Sequence, residues 1–339
     1  MTNLPAKLNR RAFLQMASLS LGAVALPTAF INTVIAQQKR PNSLTNTAFY
    51  RFRLGNFQCI SVSDGILNAP AAAFAGGIPA EQLKQALSNK FQPTDSLPIN
   101  CNILYVNTGR NQVLIDTGNG GLASTRAVGR LVTNLRLAGI NPSNIDAIII
   151  THAHADHIGG FTDKAGRFLF ANARYYIHDV EYDFWTNPKA RLPKLPAGEK
   201  LAQEMLSIAK KSLGLISKRV TKFSLGKEII PGFSAINASG HTPGHVAIKI
   251  TAKDASLIHV ADTVHHFAIN LSHPEWQPVF DADPVQAVTT RQRILSQILT
   301  DRSLMFAYHF PFPGLGNIQT NNEGGFNWEP VAWQFDVTN

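Results

Sequence analysis

The feature that most constrains this chain is a cluster of three histidines and one aspartate within six residues, His152, His154, Asp156 and His157. The segment reads T-H-A-H-A-D-H-I-G-G and directly follows an apolar run with the length of a buried strand. In extended backbone His152 and His154 project to the same side, and the following turn can bring Asp156 and His157 round to a second point. One short loop can therefore hold two cations.

The cysteine content decides which side chains are available as metal ligands. Only Cys59 and Cys101 are present, and both lie in apolar, strand-like sequence rather than at zinc-finger spacing. Any metal must therefore be held by histidines and carboxylates, which suit Zn, Mn, Fe or Co. The two thiols either form a disulfide in an oxidising compartment or remain two separate buried groups, and the sequence leaves both readings open.

The first segment of the chain has the composition of an export signal. Arg10 and Arg11 precede an uncharged, largely apolar run, residues 12–36, which resembles a bacterial twin-arginine signal. We therefore expect residues 1–36 to be recognised by the twin-arginine export machinery and cleaved before Gln37. An uncleaved membrane anchor is the alternative. The protein is accordingly expected in the periplasm, secreted, or anchored in the membrane and facing the periplasm.

The remaining residues predict one folded domain with a short tail. Residues 37–47 are polar and indicate a flexible mature N-terminus, and no linker composition divides residues 48–339. Without residues 1–36 the charge falls from +9 to +6, because three of the 31 Lys and Arg are removed and 28 remain against 22 Asp and Glu. Since the basic residues form no dense block beyond Lys210 and Lys211, we expect no nucleic-acid partner.

Strand-like and helix-like segments alternate in a way that favours an α+β fold. Several strands come first, then helical segments, then more strands and a strong late helix, which predicts an αββα sandwich of two packed sheets with helices outside. The strand at 57–63 is expected to end in a turn at Asp64 and Gly65. Helices are predicted at residues 81–87, 122–137, 200–213 and 284–299.

Four further motifs lie along the chain, one before the histidine cluster and three after it. Asp116 opens D-T-G, His241 lies in S-G-H-T-P-G-H, Asp262 in V-A-D-T and His309 in A-Y-H-F-P-F-P-G. Together with the histidine cluster, these motifs resemble the metallo-β-lactamase fold superfamily over nearly the whole of residues 48–339. The resemblance implies the αββα sandwich that the alternation of elements also predicts.

The resemblance assigns roles to these residues. It implies that one metal is bound by His152, His154 and His241, a second by Asp156, His157 and His309, with Asp262 bridging the two ions and Asp116 supporting the ligands. His245, in the same loop as His241, is the alternative ligand there. Two divalent ions are expected, zinc foremost and Mn, Fe or Co as alternatives.

A dinuclear site of this kind predicts a hydrolase. A hydroxide shared by two cations is a nucleophile at neutral pH, and we expect it to attack an ester, a lactone or an organophosphate triester, with Asp262 and Asp156 as the catalytic carboxylates. The sequence resembles methyl parathion hydrolase and its lactonase-like relatives, through F-D-A-D-P before the last helix and H-F-P-F-P-G-L-G near the end. A β-lactamase, a glyoxalase II-like thioesterase and a di-iron redox protein are the alternatives.

A small neutral or weakly polar substrate would need an apolar pocket with aromatic walls beside the metals. Homodimer formation stays open. Candidates for the pocket are Phe184, Trp185, Phe267 and Trp276, with Phe74 and Phe91 contributed by a flap at residues 67–98.

Overall fold

The computed structural model describes residues 46–122, 127–335 and 337. The predicted export signal at 1–36, and all but the last two residues of the predicted flexible segment at 37–47, lie outside the described residues. Thr47–Asn339 forms one compact unit. Within the described part of the chain, none of the helices combines the length and the apolar character that crossing a membrane requires.

The first half of this unit forms a seven-stranded mixed sheet in sequence order. The pairs from β1 to β4 are antiparallel, and those from β4 to β7 are parallel. Its strands are β1 Phe49–Leu54, β2 Phe57–Pro70, β3 Ser96–Asn107, β4 Gln112–Ile115, β5 Ala147–Ile150, β6 Arg174–His178 and β7 Val220–Phe223.

The second half forms another seven-stranded sheet, also in sequence order. All of its neighbouring strands are antiparallel except β11 and β12, which are parallel. Its strands are β8 Glu228–Ile230, β9 Phe233–Asn237, β10 Val246–Ala252, β11 Ala255–His259, β12 Leu304–Phe306, β13 Leu315–Thr320 and β14 Phe326–Pro330.

Helices cover the outer faces of both sheets. Helix α6 begins at Pro284 with Asp283 as its N-cap, whose side chain accepts a hydrogen bond from the Gln286 backbone. Among the described residues the α-helices are α1 Ala80–Ser88, α2 Leu131–Leu137, α3 Ala155–Ile158, α4 Asp179–Thr186, α5 Glu199–Ile216 and α6 Pro284–Asp301.

Three apolar layers hold the sandwich together. Between the sheets, buried residues such as Ile149 of β5 and Ile248 of β10 belong to one cluster. Outside the first sheet, Leu213 of α5 packs in a second cluster, and outside the second sheet Ile294 of α6 packs in a third. Each such side chain contributes about 1.5–3 kcal/mol on burial. The predicted αββα sandwich is confirmed.

The prediction that the strand ends in a turn after residue 63 is wrong. Strand β2 continues to Pro70, and an irregularity in its pairing with β3 between Ser63 and Gly65 takes up the positive φ of Gly65, +126°. The intervening Asp64 is fully buried, because its carboxylate accepts hydrogen bonds from the loop that follows β4. The donors are the backbone N–H groups of Asn119, Gly129 and Leu131 and the Asn119 side chain.

Of the predicted helices, those at 81–87, 200–213 and 284–299 are confirmed as α1, α5 and α6. The helix predicted at 122–137 is regular only from Leu131, and residues 123–126 lie outside the described part.

The two cysteines do not form a disulfide. Cys59 and Cys101 are both free and buried. Cys59 lies opposite Val106, and Cys101 lies five residues before Val106 on β3, so the two backbones are about 17 Å apart along the β2–β3 ladder at the usual rise per residue. Of the two readings, separate buried thiols are therefore correct, since a disulfide needs much closer backbones.

The topology brings the sequence motifs to one edge of the sandwich. Asp116 follows β4 and His152 follows β5, and these parallel strands end at the same edge of the first sheet. In the second sheet, Asp262 follows β11 and His309 follows β12, which are also parallel. Because the carboxyl ends of parallel strands meet at one edge, each sheet delivers its motifs to a common rim.

Candidate metal centre

Asp116 organises the start of the histidine cluster. Its backbone is in the left-handed region, with φ of +63°, a conformation that a non-glycine residue rarely adopts. Its Oδ1 accepts a hydrogen bond from the Thr151 backbone at 2.8 Å, and its Oδ2 accepts bonds from Thr151 Oγ1 at 2.7 Å and His157 Nδ1 at 2.8 Å. One fully buried carboxylate thus orients both ends of the cluster.

These contacts decide which nitrogen of each ring is left without a proton. The Thr151 hydroxyl gives its hydrogen to Asp116, so at 3.1 Å it accepts one from His152 Nδ1. The Nδ1 of His157 donates to Asp116. In both neutral rings the Nε2 atom therefore carries the free lone pair that a metal ligand needs.

Two distant histidines are held in the same way. His241 Nδ1 donates to Asp281 Oδ1 at 2.8 Å, and His309 Nδ1 donates to the Asn100 carbonyl at 2.8 Å. Both residues are almost fully buried. Their Nε2 lone pairs therefore also face inward, and partners behind the rings prevent them from turning.

Three histidines and one aspartate form the first group of converging donors. His241 Nε2 lies 2.9 Å from His154 Nδ1 and 3.4 Å from Asp262 Oδ2, while His152 Nε2 lies 3.8 Å from the same oxygen. One donor atom from each of the four residues falls within 4.8 Å of the others. This set of donors suits a four-coordinate zinc ion.

A second group shares Asp262 with the first. His157 Nε2 lies 3.1 Å from Asp262 Oδ1, and His309 Nε2 lies 3.3 Å from Asp262 Oδ2 and 3.4 Å from Asp156 Oδ2. His157 Nε2 is also 3.7 Å from Asp156 Oδ2. Because Asp262 belongs to both groups, its carboxylate lies where it can bridge two ions.

The residues present fit a pair of divalent cations. His152 Nε2, His157 Nε2 and Asp262 Oδ1 are buried and make no hydrogen bond, although the last two atoms are only 3.1 Å apart. Buried polar atoms without partners cost free energy, and here the atoms point toward one another rather than into separate apolar surroundings. Imidazole nitrogens and carboxylate oxygens in this arrangement match a dinuclear metal site.

The electrostatics of the site's own side chains show the same demand for positive charge. Burial alone would raise the pKa of Asp262. The neighbouring histidines, His157 first, outweigh burial and hold this pKa well below its usual range. Burial lowers the pKa of His157, yet the surrounding carboxylates, Asp262 first, raise it to about 10. For His241 the contacts with Asp262 and Asp281 outweigh burial and raise the pKa to about 9. The carboxylates of the site thus favour positive charge at these rings.

The structure thus brings all of the sequence-predicted ligands together: His152, His154, Asp156, His157, His241, Asp262 and His309. Of the two candidates in the S-G-H-T-P-G-H loop, His241 belongs to the first group of donors. His245 belongs to none of the donor groups found among the described residues, and its Nδ1 donates to the Ala238 carbonyl at 3.0 Å. Asp116 hydrogen-bonds Thr151 and His157 within the same cluster.

A cavity of about 330 Å³ opens directly onto this site. Its floor is formed by metal-site residues, and its walls come from the ends of β2 and β3, from one face of α5, and from two loops. The floor consists of His154, Asp156, His241, Asp262 and His309, and the apolar wall of Leu67, Ala69, Phe74, Ile99, Leu201, Met205, Ile208 and Phe280.

The four aromatic residues expected on the pocket wall do not line this cavity. Trp185 is buried behind His154, with ring centres 5.8 Å apart, and Phe184 packs edge-on against Trp185. Phe267 packs against Phe310, and Trp276 stacks on a histidine of its own loop. Trp185 therefore supports His154 from behind, whereas Phe267 and Trp276 pack against residues outside the site.

Of the two flap residues, Phe74 does line the cavity, whereas Phe91 is 96% exposed.

Several residues complete the site beyond the predicted ligands. Asp281, which fixes His241, lies inside the F-D-A-D-P motif, so the motif signalled its importance without revealing its role. His265 lines the cavity with its Nε2 3.3 Å from Asp262 Oδ2. The part of the wall formed by α5 could have been predicted from the sequence, because the spacing of Leu201, Met205 and Ile208 places them on one helix face.

Comparison with known proteins agrees with this geometry. The sequence model of the Metallo-beta-lactamase superfamily matches residues 97–309. The solved structure of AidC, described as a dizinc quorum-quenching lactonase, is similar with a TM-score of 0.80 and 30% identity, covering 85% of this chain and all of AidC. The hydrolase AbOPH is similar with a TM-score of 0.79 and 28% identity, covering 86% of this chain and all of AbOPH.

Among curated sequences, an N-acyl homoserine lactonase of Bacillus cereus is 23% identical over 232 residues, 63% of this chain and 82% of the relative.

Proposed function

The chain belongs to the metallo-beta-lactamase superfamily, and on that premise we propose that it hydrolyses neutral lactones or simple esters with an apolar substituent. The family, the dizinc lactonase neighbour and the converging donors make it a metal-dependent hydrolase with a dinuclear site. The finer assignment rests on one observation, which is the composition of the cavity above the metals.

The cavity is largely apolar, and no lysine or arginine is among the described side chains that line it. Its charged lining residues other than histidine are Asp156, Glu204 and Asp262, all acidic. An anionic substrate would lose water of hydration there without gaining a cationic partner from the protein, which is costly. The lining therefore favours neutral substrates over β-lactams, glutathione thioesters and nucleic acids, each of which carries negative charge.

The residues of the chain divide the task of catalysis between them. The apolar wall binds the substituent of the substrate and excludes water, which places the ester carbonyl over the floor. Bound divalent ions would activate water and polarise the carbonyl. Asp262, which contacts both groups of donors, holds the site together. Asp156 lines the floor, where the carboxylate oxygen that does not bind an ion would accept a proton and return it to the leaving alcohol.

A substrate panel tests this proposal. Purified, metal-loaded protein is assayed with N-acyl homoserine lactones, aryl esters, methyl parathion or paraoxon, and nitrocefin. The proposal expects turnover of the neutral lactones or esters to exceed that of nitrocefin by orders of magnitude. Preferential hydrolysis of nitrocefin would overturn it, and a preference for the phosphotriesters would reassign the substrate class while retaining the neutral pocket.

We also propose that the protein is exported through the twin-arginine pathway. The support is the sequence alone, in which Arg10 and Arg11 precede the uncharged run 12–36. The Arg10→Lys, Arg11→Lys double variant should accumulate in the cytoplasm of a host with this pathway, while the unaltered chain appears in the periplasmic or membrane fraction. Equal distribution of the two proteins would contradict export by this route.

A further inference from the structure

Glu181 is a buried carboxylate that neither group of metal donors uses. It lies on α4, and its side chain is fully inaccessible to solvent. Its Oε1 accepts hydrogen bonds from the Ala153 backbone at 2.9 Å and from the Trp185 indole at 2.6 Å. Its Oε2 accepts bonds from Thr242 Oγ1 at 2.7 Å and from the Gly244 backbone at 2.8 Å. All four partners are donors and none is a cation.

The partners of Glu181 come from both loops that carry the three-histidine group. Ala153 stands between His152 and His154, and Thr242 directly follows His241. One carboxylate therefore ties the loop after β5 to the loop between β9 and β10, although the two loops belong to different sheets.

The contact between α4 and the second loop is too close for a larger residue. A Cβ atom on Gly244 would lie 2.2 Å from the Glu181 backbone nitrogen. His178, which precedes α4, donates from Nδ1 to the Gly244 carbonyl at 2.8 Å. The start of α4 therefore hydrogen-bonds both the N–H and the C=O of Gly244. A change in the Glu181 side chain should consequently shift the loop.

We propose that Glu181 is a positioning residue that fixes the separation between the His152–His154 segment and His241, and thereby sets the metal affinity of the three-histidine group. The proposal rests on the metal dependence of the proposed function, but not on its substrate. Its readout is metal affinity, so failure of the substrate panel and failure of this proposal are separate results.

The test compares Glu181→Gln with Asp64→Asn. In Glu181→Gln, one carboxylate oxygen becomes an NH2 group that faces a backbone N–H donor, so the link between the two loops is weakened while the size of the side chain is kept. Loss of such outer partners typically lowers metal affinity by about 10–100-fold. Asp64 is the matched control, because it is also a fully buried carboxylate with four hydrogen-bond donors, none of them from the two ligand loops.

Metal-free proteins are titrated with Zn²⁺ in competition with a chromophoric chelator, which resolves the affinities of the two ions. Glu181→Gln should weaken one of the two ions by about 10–100-fold, and Asp64→Asn should leave both affinities near those of the unaltered protein. In the Co²⁺-substituted protein, the absorption bands of that ion should change only in Glu181→Gln. Unchanged affinity in Glu181→Gln, or an equal loss in Asp64→Asn, would overturn the proposal.

A milder pair of variants covers the case in which Glu181→Gln does not fold. Thr242→Val removes one hydrogen bond to Glu181 at nearly constant volume, and Thr242→Ser retains the hydroxyl. The affinity of the same ion should fall several-fold in Thr242→Val and recover in Thr242→Ser. If both variants bind as the unaltered protein does, or both are equally weakened, the hydroxyl-to-Glu181 bond does not set the affinity and the proposal is wrong.

Discussion

His157 Nε2 lies 3.1 Å from Asp262 Oδ1, although His157 follows a strand of the first sheet and Asp262 a strand of the second. Neither atom makes a hydrogen bond. The two sheets must pack before this pair can form, so the site exists only in the folded sandwich. Binding of ions at this junction should stabilise the fold, because a ligand that binds only the native state adds to its stability.

The first prediction concerns the histidine cluster. His152→Ala removes a donor from the three-histidine group, so the variant should lose bound metal and nearly all hydrolytic activity. Metal analysis of the purified variant, together with an ester assay, measures both. His273→Ala is the control, since that ring stacks on Trp276 away from the site. Full turnover by His152→Ala would show that the cluster does not carry the reaction.

The second prediction concerns the residue behind His241. Asp281→Asn weakens the charge-assisted hydrogen bond to His241 Nδ1, and metal affinity should fall by about 10–100-fold. Asp283→Asn makes the same substitution two positions away, where the side chain caps α6 and asparagine caps equally well. Chelator competition on both variants distinguishes them. Equal affinities would mean that Asp281 does not tune the ligand.

The third prediction concerns the cavity wall. Met205→Trp places a larger side chain in a space of about 330 Å³ and should exclude the end of a long substituent. Loss of two buried methylene groups costs about 1.6 kcal/mol, so KM for a long-chain lactone should rise roughly tenfold. KM for a short-chain lactone should change little. Val285→Trp, at an exposed position of α6, is the control, and an identical change for long and short chains would argue against this wall as the binding surface.

The fourth prediction is a pH dependence of metal binding. In the metal-free protein, nearby carboxylates raise the pKa of His241 to about 9 and that of His157 to about 10 from the ordinary 6.5. Because both pKa values are higher in the folded state, protonation of these histidines stabilises the metal-free fold. This stabilisation is complete below pH 6.5 and is lost as the pH rises through 9–10.

A metal ion must displace these protons, so zinc binding at pH 7.5 should release protons, and affinity should rise up to about pH 9. Calorimetry in buffers with different ionisation enthalpies counts the protons released. Binding without proton release, or with an affinity that is constant between pH 6.5 and 9, would contradict the electrostatic account of the site.

The fifth prediction concerns the thiols. Burial raises the pKa of Cys59 to about 12 and that of Cys101 to about 11, and the thiolate is the reactive form. A chromogenic disulfide reagent should therefore react slowly with the native protein. After denaturation without reductant, the same reagent should react with two thiols per chain. Fewer than two reactive thiols in the denatured protein would mean that a disulfide had formed.

Local motifs pointed to the candidate ligands, since histidines and aspartates at strand ends are visible in the sequence, and the resemblance to the family supplied their grouping. The pocket was harder to predict, because its walls depend on which residues from distant elements meet. Trp185 and Trp276 turned inward to pack, while Met205 of α5 and Phe280 turned toward the cavity. The fold followed from the alternation of strands and helices, but the continuation of β2 past Asp64 required partners from a distant loop.

The most direct test of the central claim is anomalous diffraction at the zinc edge from crystals of the metal-loaded protein. The account predicts two peaks, one surrounded by His152, His154 and His241, the other by Asp156, His157 and His309, with the Asp262 carboxylate between them. A single peak, or ions bound elsewhere while these donors remain empty, would contradict it.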